Sequence, residues 1–407
     1  MTTLITFLGM IAFLGAALIL STSRTNIRPR TVGAAFALQF LIGGLALYLP
    51  LGRSALQAVS SAVSGILSYG QSGISFLFGD IGSGKVGFVF AFQVLPIIIF
   101  FSALISALYY LGVMGWVIRF IGGALQKVLG TSRAESMSAT ANIFVSQTEA
   151  PMVIKPYIAG MTRSELFAVM VGGMATVAGS VLAGYVALGV EMKYLIAASF
   201  MAAPGGFLMA KIIMPELEKV VEDDSHVLQA EHDQYVNVID AAAGGATNGL
   251  NLAVNIGAML IAFVALIALV NGLLSWAGGW LNYPDLTLQA IFAWVFRPVA
   301  YLLGVPWSES GIAGSLIGQK LVLNEFIAFI DFGEKKALLS AHSQAVVSFA
   351  LCGFANFSSI AIILGGLATI APERRGDVAQ MGLRAVAAGF MANLMSAAIA
   401  GFYLSLI

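Results

Sequence analysis

Little in this chain can do covalent or redox chemistry. It has one cysteine, Cys352, and three histidines, His226, His232 and His342, so neither an internal disulfide nor a Cys–His metal cluster can be assembled. Two of the histidines, six residues apart, fall in an acidic run and read as solvent-exposed rather than as metal ligands. No His-Glu-x-x-His and no Gly-x-Ser-x-Gly is present, so the nucleophile–base or metal arrangement of an intramembrane enzyme has no visible basis. Charge is scarce and balanced: 20 basic against 20 acidic residues, with charged residues only 10% of the chain, gives no basic surface for nucleic acid. What fills the space is apolar. Hydrophobic residues make up 59% and mean hydropathy is +0.92, values that a soluble domain of this size does not sustain. The apolar segments run for about twenty residues with scattered polar positions, not for ten with strict alternation, so the fold class is an all-α polytopic membrane protein and not a β-barrel.

Against that background the polar run Asn142-Ile-Phe-Val-Ser-Gln147-Thr148-Glu149-Ala-Pro151 stands out. A carboxylate within a bilayer costs between ~2.5 and ~17 kcal/mol depending on its surroundings, and therefore persists where it is paired or solvated and usually functional. A helix-packing or interfacial carboxylate is the plainer alternative. A second copy weakens that alternative. Asn324-Glu325-Phe326 lies 176 residues downstream (325 − 149), with Ala134-Glu135-Ser136 echoed by Ser308-Glu309-Ser310 and Gly173-Met-Ala-Thr176 by Gly353-Phe-Ala-Asn356. Three short matches in the same order imply an internal repeat, and repeats of polar-interrupted apolar segments point to a transporter whose site lies between its halves.

The first apolar segment, roughly residues 4 to 20, has no basic residue before it and is expected to be a retained span, not a secretory signal. Arg24, Arg28 and Arg30 follow, and the positive-inside rule puts that loop in the cytoplasm and the N-terminus outside. A second span, about 32 to 52, precedes an amphipathic stretch, 54 to 68, with Leu56, Val59, Val63 and Ile66 at helical spacing. Gly79-Asp-Ile-Gly82-Ser-Gly84-Lys85-Val86 has phosphate-loop spacing, but Val86 stands where a magnesium-binding hydroxyl is needed and no strand precedes it, so it reads as a turn. A third span, 87 to 110, leads to a cytoplasmic interfacial helix, 116 to 130. The polar piece from Ser132 to Pro151, flanked by Arg133, Lys155 and Arg163, is expected to enter and leave on one side as a re-entrant hairpin. The span 164 to 189 is interrupted at Gly172 to Ser180, where small residues suit either close packing or an unwound segment that exposes carbonyls to a cation. A fifth span, 193 to 214, then leads into residues 216 to 234, with seven acids (Glu216, Glu218, Glu222, Asp223, Asp224, Glu231, Asp233) against Lys219, a solvated linker. An interfacial segment, 237 to 249, a span from 250 to 276, a second hairpin unit within 286 to 330 and spans at 343 to 370 and 385 to 404 complete the chain. Three crossings separate the hairpins, which inverts the repeat and leaves the C-terminus outside. Thirteen of the 20 basic residues fall on the cytoplasmic side of this topology, as the rule requires. Four units result: scaffold helices 1–110, a first transport repeat 111–215, a linker and connecting span 216–285, and a second transport repeat 286–407.

The polar groups so collected, Asn142, Gln147, Thr148, Glu149 and Thr176 from one half and Asn324, Glu325, Asn356 and Ser359 from the other, are mostly neutral hydrogen-bonding groups with two carboxylates. With no arginine cluster among them, they suit a neutral solute rich in hydroxyls and ring nitrogens better than an anion, and Phe354 offers an apolar platform for a planar base. A channel is not excluded by these residues, although inverted hairpins favour alternating access.

Ser146-Gln-Thr-Glu-Ala-Pro151, Asn324-Glu-Phe326 and Gly353-Phe-Ala-Asn-Phe-Ser-Ser359, in this order, resemble the concentrative nucleoside transporter family in its shorter bacterial form. The resemblance covers essentially the whole chain. It implies eight transmembrane helices, two re-entrant hairpins, three interfacial helices, a homotrimer in the bacterial inner membrane, no cofactor, and cation-driven nucleoside import. By the same resemblance Gln147, Thr148 and Glu149 contact the nucleobase side, Glu325, Asn356 and Ser359 the ribose side, and Val181 and Phe354 make apolar contacts. Sodium maps to the side chains of Asn142 and Thr176 with the carbonyls of Val145 and Val177; Thr176 stands where other members carry Ser. The alternative is a proton-coupled member in which Glu149 or Glu325 carries the proton.

Overall fold

A computed structural model describes residues 2–218, 235–280, 283 and 285–407. Of the acidic linker, Glu216 and Glu218 are within these bounds, whereas Lys219, Glu222, Asp223, Asp224, His226, Glu231, His232 and Asp233 lie outside the described residues. The described residues form helices and turns: α1 (Thr2–Ile19), α2 (Pro29–Leu47), α3 (Pro50–Gly82), α4 (Phe90–Gln93), α5 (Leu95–Tyr110), α6 (Val113–Leu129), α7 (Arg133–Ala141), α8 (Lys155–Ile158), α9 (Arg163–Ala175), α10 (Gly179–Ala187), α11 (Met192–Ile213), α12 (Val238–Trp280), α13 (Leu288–Leu302), α14 (Ser310–Val322), α15 (Glu325–Lys335), α16 (Ala341–Leu351), α17 (Ser358–Ile370) and α18 (Arg375–Leu404). Among the described residues, seven stretches are long and apolar enough to cross a membrane (2–19, 29–47, 90–110, 163–187, 192–213, 238–280 and 372–404), and α16 with α17 makes the eighth.

Local chemistry sets the boundaries. Pro29 and Pro50 open α2 and α3, where a missing N–H costs nothing. Capping boxes start α7 (Ser132 with Glu135) and α9 (Thr162 with Glu165), satisfying two of the donors that every helix start leaves free. In the second half Ser340 accepts from Ser343 N at the start of α16 and is itself bound by Glu309 Oε2, 2.9 Å from its hydroxyl. The repeat thus extends below the motif level: a hairpin (α7 to α8, or α14 to α15) precedes a helix with a hydroxyl cap that breaks part-way (α9–α10, or α16–α17).

Both breaks lie in the interior. Residues 163–187, 192–213 and 372–404 are 100%, 94% and 89% buried in their most apolar stretches, whereas 90–110 and 238–280 are only 11% and 22% buried and present apolar faces outward. Interior backbone released by a break must find partners. Phe354 N–H donates to Thr176 O at 3.1 Å, joining one break to the other, and Gly179 N–H donates to Phe144 O at 3.0 Å, joining α10 to the first hairpin. Asn393, in mid-α18, donates to both Ala175 O (2.6 Å) and Cys352 O (3.0 Å), the carbonyls that end α9 and α16.

Three elements differ from expectation. The surface helix expected over 54–68 continues as the 33-residue α3 and ends within the phosphate-loop look-alike, where Gly79 has φ 56° and exposed Lys85 pairs with Asp80 at 3.0 Å. Residues 237–249 are not separate from the following span: α12 is one helix of 43 residues. Its glycines serve contact, not breakage, since a Cβ on Gly245 would meet Ser102 O at 2.6 Å and one on Gly249 would meet Ile99 Cα at 2.7 Å, so they let α12 lie directly on α5. The last helix begins at Arg375, ten residues ahead of the span expected from 385, directly after the turn Pro372–Arg374.

Candidate functional site

In the first hairpin α7 ends at Ala141, the chain runs non-helically through 142–149, and Pro151 starts a single tight turn, Ala150–Ile154. Gln147 is buried and its Nε2 reaches Ser359 Oγ at 3.4 Å, a direct link between the halves; its Oε1 has no partner among the described residues. Thr148 shares a 3.0 Å contact with Ser146 Oγ and packs on α17, where a Cβ on Gly366 would fall 3.0 Å from its methyl. Glu149 Oε2 accepts from Ser146 N (3.0 Å) and Ser146 Oγ (2.9 Å). Contrary to its expected burial, Glu149 is exposed, and it lines a cavity of about 230 Å³ together with Val145, Ser180, Tyr110, Lys155 and Asn248.

The second hairpin places Glu325 differently. Asn324 caps α15 by accepting from Ile327 N at 3.0 Å, and Glu325, in the first helical turn, is only 4% exposed. Tyr185 OH donates to its Oε1 at 3.2 Å and Asn356 Nδ2 to its Oε2 at 3.0 Å. Asn356 Oδ1 in turn accepts from Ser359 N at 2.9 Å, and the Ser359 hydroxyl donates to Phe354 O. Gln147, Ser359, Asn356, Glu325, Phe354 and Thr176 therefore form one hydrogen-bonded set across the two halves. Val181 is buried on α10, within the helix that carries Tyr185. Glu149 is not part of that set.

Among the residues expected to hold a cation, Asn142 is fully buried, donates from Nδ2 to Ser138 O at 3.0 Å, and leaves Oδ1 with no partner among the described residues. Gly173 makes room for it: a Cβ there would come 2.9 Å from Gln147 Cβ and 3.6 Å from Asn142 Oδ1. Thr176, one turn on, ends α9 and donates its hydroxyl to Gly172 O at 2.8 Å, keeping oxygen lone pairs available. Val145 and Val177 sit in the two non-helical stretches beside it. An orphaned amide oxygen at the negative end of a broken helix, among neutral oxygens, fits a hard monovalent cation.

Family-level matches cover nearly the entire chain: "Na+ dependent nucleoside transporter N-terminus" over residues 8–81, "Nucleoside recognition" over 91–192, and "Na+ dependent nucleoside transporter C-terminus" over 194–401. The chain belongs to the Na+-dependent nucleoside transporter family. It is 54% identical to an uncharacterized transporter of Haemophilus influenzae over 100% of this chain and 99% of that protein, and 50% identical to the nucleoside permease NupC of Helicobacter pylori with the same coverage. Among solved structures it resembles CNTnw in an inward-facing substrate-bound state, at TM-score 0.96 and 55% identity over 100% of this chain and 99% of that one. A variant of CNTnw in an outward-facing state matches at TM-score 0.95 and 54% identity, over 100% and 98%.

This member of the nucleoside transporter family is thus a helical membrane transporter and not an enzyme, and three of the polar residues that organise its interior escaped the sequence reading. Tyr185 is fully buried, bonded to Glu325, and packed against Phe329 with ring centroids 4.5 Å apart at a 35° tilt. Asn393 ties the two breaks. Lys320, which the sequence reading did not place among the interior polar groups, is fully buried, with Nζ 2.6 Å from Asn393 Oδ1. Glu325 drew notice as a charge in an apolar run, and Lys320, five residues earlier, carried the same signal.

Proposed function

We propose that the protein is a sodium-coupled nucleoside symporter that imports uridine-like nucleosides by alternating access. The observation that carries this reading is the orphaned, fully buried Asn142 Oδ1 placed against the end of α9, one loop away from Gln147. A cation there would fix the first hairpin against the broken helix and so set the position of Gln147 to Glu149. Gln147, with an unpartnered Oε1, and Thr148 and Glu149 are assigned to the base; Glu325, Asn356 and Ser359 to the sugar hydroxyls, which two carboxylate oxygens and an amide match in a low-dielectric site. Val181 and Phe354 supply the apolar walls. Asn142, Thr176 and the Val145 and Val177 carbonyls are assigned to sodium, which travels as co-substrate.

The assembly we propose is a homotrimer in the bacterial inner membrane with both termini outside, and the outward apolar faces of 90–110 and 238–280 provide surface for subunit and lipid contact. Uptake of radiolabelled uridine into proteoliposomes under a sodium gradient, a proton gradient, or neither tests the coupling. Concentrative uptake that needs the sodium gradient supports the assignment. Uptake that follows the proton gradient and ignores exchange of sodium for choline replaces it with proton coupling through Glu149 or Glu325.

A further inference from the structure

Lys320 is a fully buried lysine in the middle of a membrane protein with no carboxylate in an ion pair with it among the described residues. Its partners are the Asn393 amide oxygen at 2.6 Å and the face of Phe390, 5.1 Å away. Asn393 holds the carbonyl of Cys352, and a Cβ on Gly353 would fall 2.2 Å from Asn393 Oδ1, so the ammonium lies against the point where α16 breaks. The end of a helix concentrates about half a negative charge on unsatisfied carbonyls, and a cation placed there is stabilised.

The first half also brings a polar side chain from its hairpin to the end of its broken helix, with different contacts. There the hairpin delivers Asn142, not a lysine, to the C-terminal end of the broken α9, and its Oδ1 is left without a partner. Each residue lies just ahead of the paired carboxylate of its hairpin, seven before Glu149 (149 − 142) and five before Glu325 (325 − 320). The two breaks touch through Phe354 N–H and Thr176 O, and Asn393 donates to the last carbonyl of each. An inverted repeat of this kind builds two negative helix ends and hence two places for a cation.

We infer that Lys320 is a tethered cation that occupies, in the second repeat, the place taken by transported sodium in the first, so that the carrier moves one sodium per nucleoside instead of two. The inference rests on the sodium-coupled reading above. Without the ammonium, the end of α16, Asn393 Oδ1 and nearby Glu325 leave oxygen ligands and uncompensated negative charge. A side chain as short as serine also leaves the volume for an ion, whereas methionine fills the volume and brings no charge.

The test measures uridine affinity by calorimetry on wild type, Lys320→Ser and Lys320→Met, with sodium varied against choline, and the ratio of labelled sodium to labelled uridine entering proteoliposomes. By linkage, the logarithmic slope of affinity against sodium reports the ions taken up with the nucleoside, about one for wild type and about two for Lys320→Ser. The serine variant is also expected to gain more thermal stability from added sodium than wild type does. Lys320→Met is expected to bind uridine weakly with no second sodium. A serine variant that keeps a slope near one overturns the inference. So does one that neither folds nor binds at any sodium concentration, since an ion in place of the ammonium restores it, and so does a slope near two for the methionine variant. Wild-type binding indifferent to sodium instead removes the sodium-coupled reading itself, which separates the two failures.

Discussion

Glu149 and Glu325 hold corresponding positions in the repeat and opposite environments: the first is exposed to a cavity and bound to its own loop, the second is buried and bound by Tyr185 and Asn356. Losing a hydrogen bond to a charged group costs about 1.5–3 kcal/mol, so Glu325→Gln should weaken uridine binding by roughly 10- to 100-fold in calorimetry. Tyr185→Phe, which removes a supporting donor, should cost about 0.5–1.5 kcal/mol, roughly 2- to 10-fold. Wild-type affinity in both variants would mean that Glu325 does not meet the ligand. Thr176→Val should blunt the dependence of uridine affinity on sodium more than Ser180→Ala does, because only Thr176 ends α9 beside Asn142; equal effects would place the ion elsewhere. Charges in apolar runs made the two glutamates legible in the sequence. Lys320, also a charge in an apolar run, was not singled out, and Asn393 has no motif because its partners, Ala175 and Cys352, are 218 and 41 residues away.

Among the elements, the two broken helices decide the interior. The small residues from Gly172 to Ser180 suited either a break or close packing, the break at Gly353 to Ser359 lay inside a span read as continuous, and what holds the two breaks was not visible from sequence. Asn393→Leu keeps the volume and removes the donor to two interior carbonyls, each then costing about 1–3 kcal/mol. The expected result is a clear fall in thermal midpoint in detergent, with loss of uptake; an unchanged midpoint would show that the carbonyls find other donors. The continuity of α12 was illegible for a related reason. Gly244, Gly245 and Gly249 have the composition of a loop, and only the close approach of α5 to Gly245 and Gly249 shows why a helix wants them there.

For the molecule as a whole, hydropathy and the positive-inside rule carried the number and order of spans, while lengths depended on packing that no local pattern records. Topology can be read with a membrane-impermeant thiol reagent in a Cys352→Ser background. Val236→Cys, at the start of α12 near Tyr110, should react from the cytoplasmic face and Ile407→Cys from outside; reaction of both from one face would remove a crossing and with it the inverted repeat. Span lengths have a further consequence. At 1.5 Å per residue the 18 residues of α1 reach about 27 Å and the 43 of α12 about 65 Å, against a hydrocarbon thickness near 30 Å. A thicker bilayer is already matched by α12 but must thin around α1 or drag its ends inward, so hydrophobic mismatch is one-sided here. Turnover in vesicles of graded acyl length should therefore fall in long-chain lipid before it falls in short-chain lipid, and a symmetrical optimum would show that α1 does not set the limit.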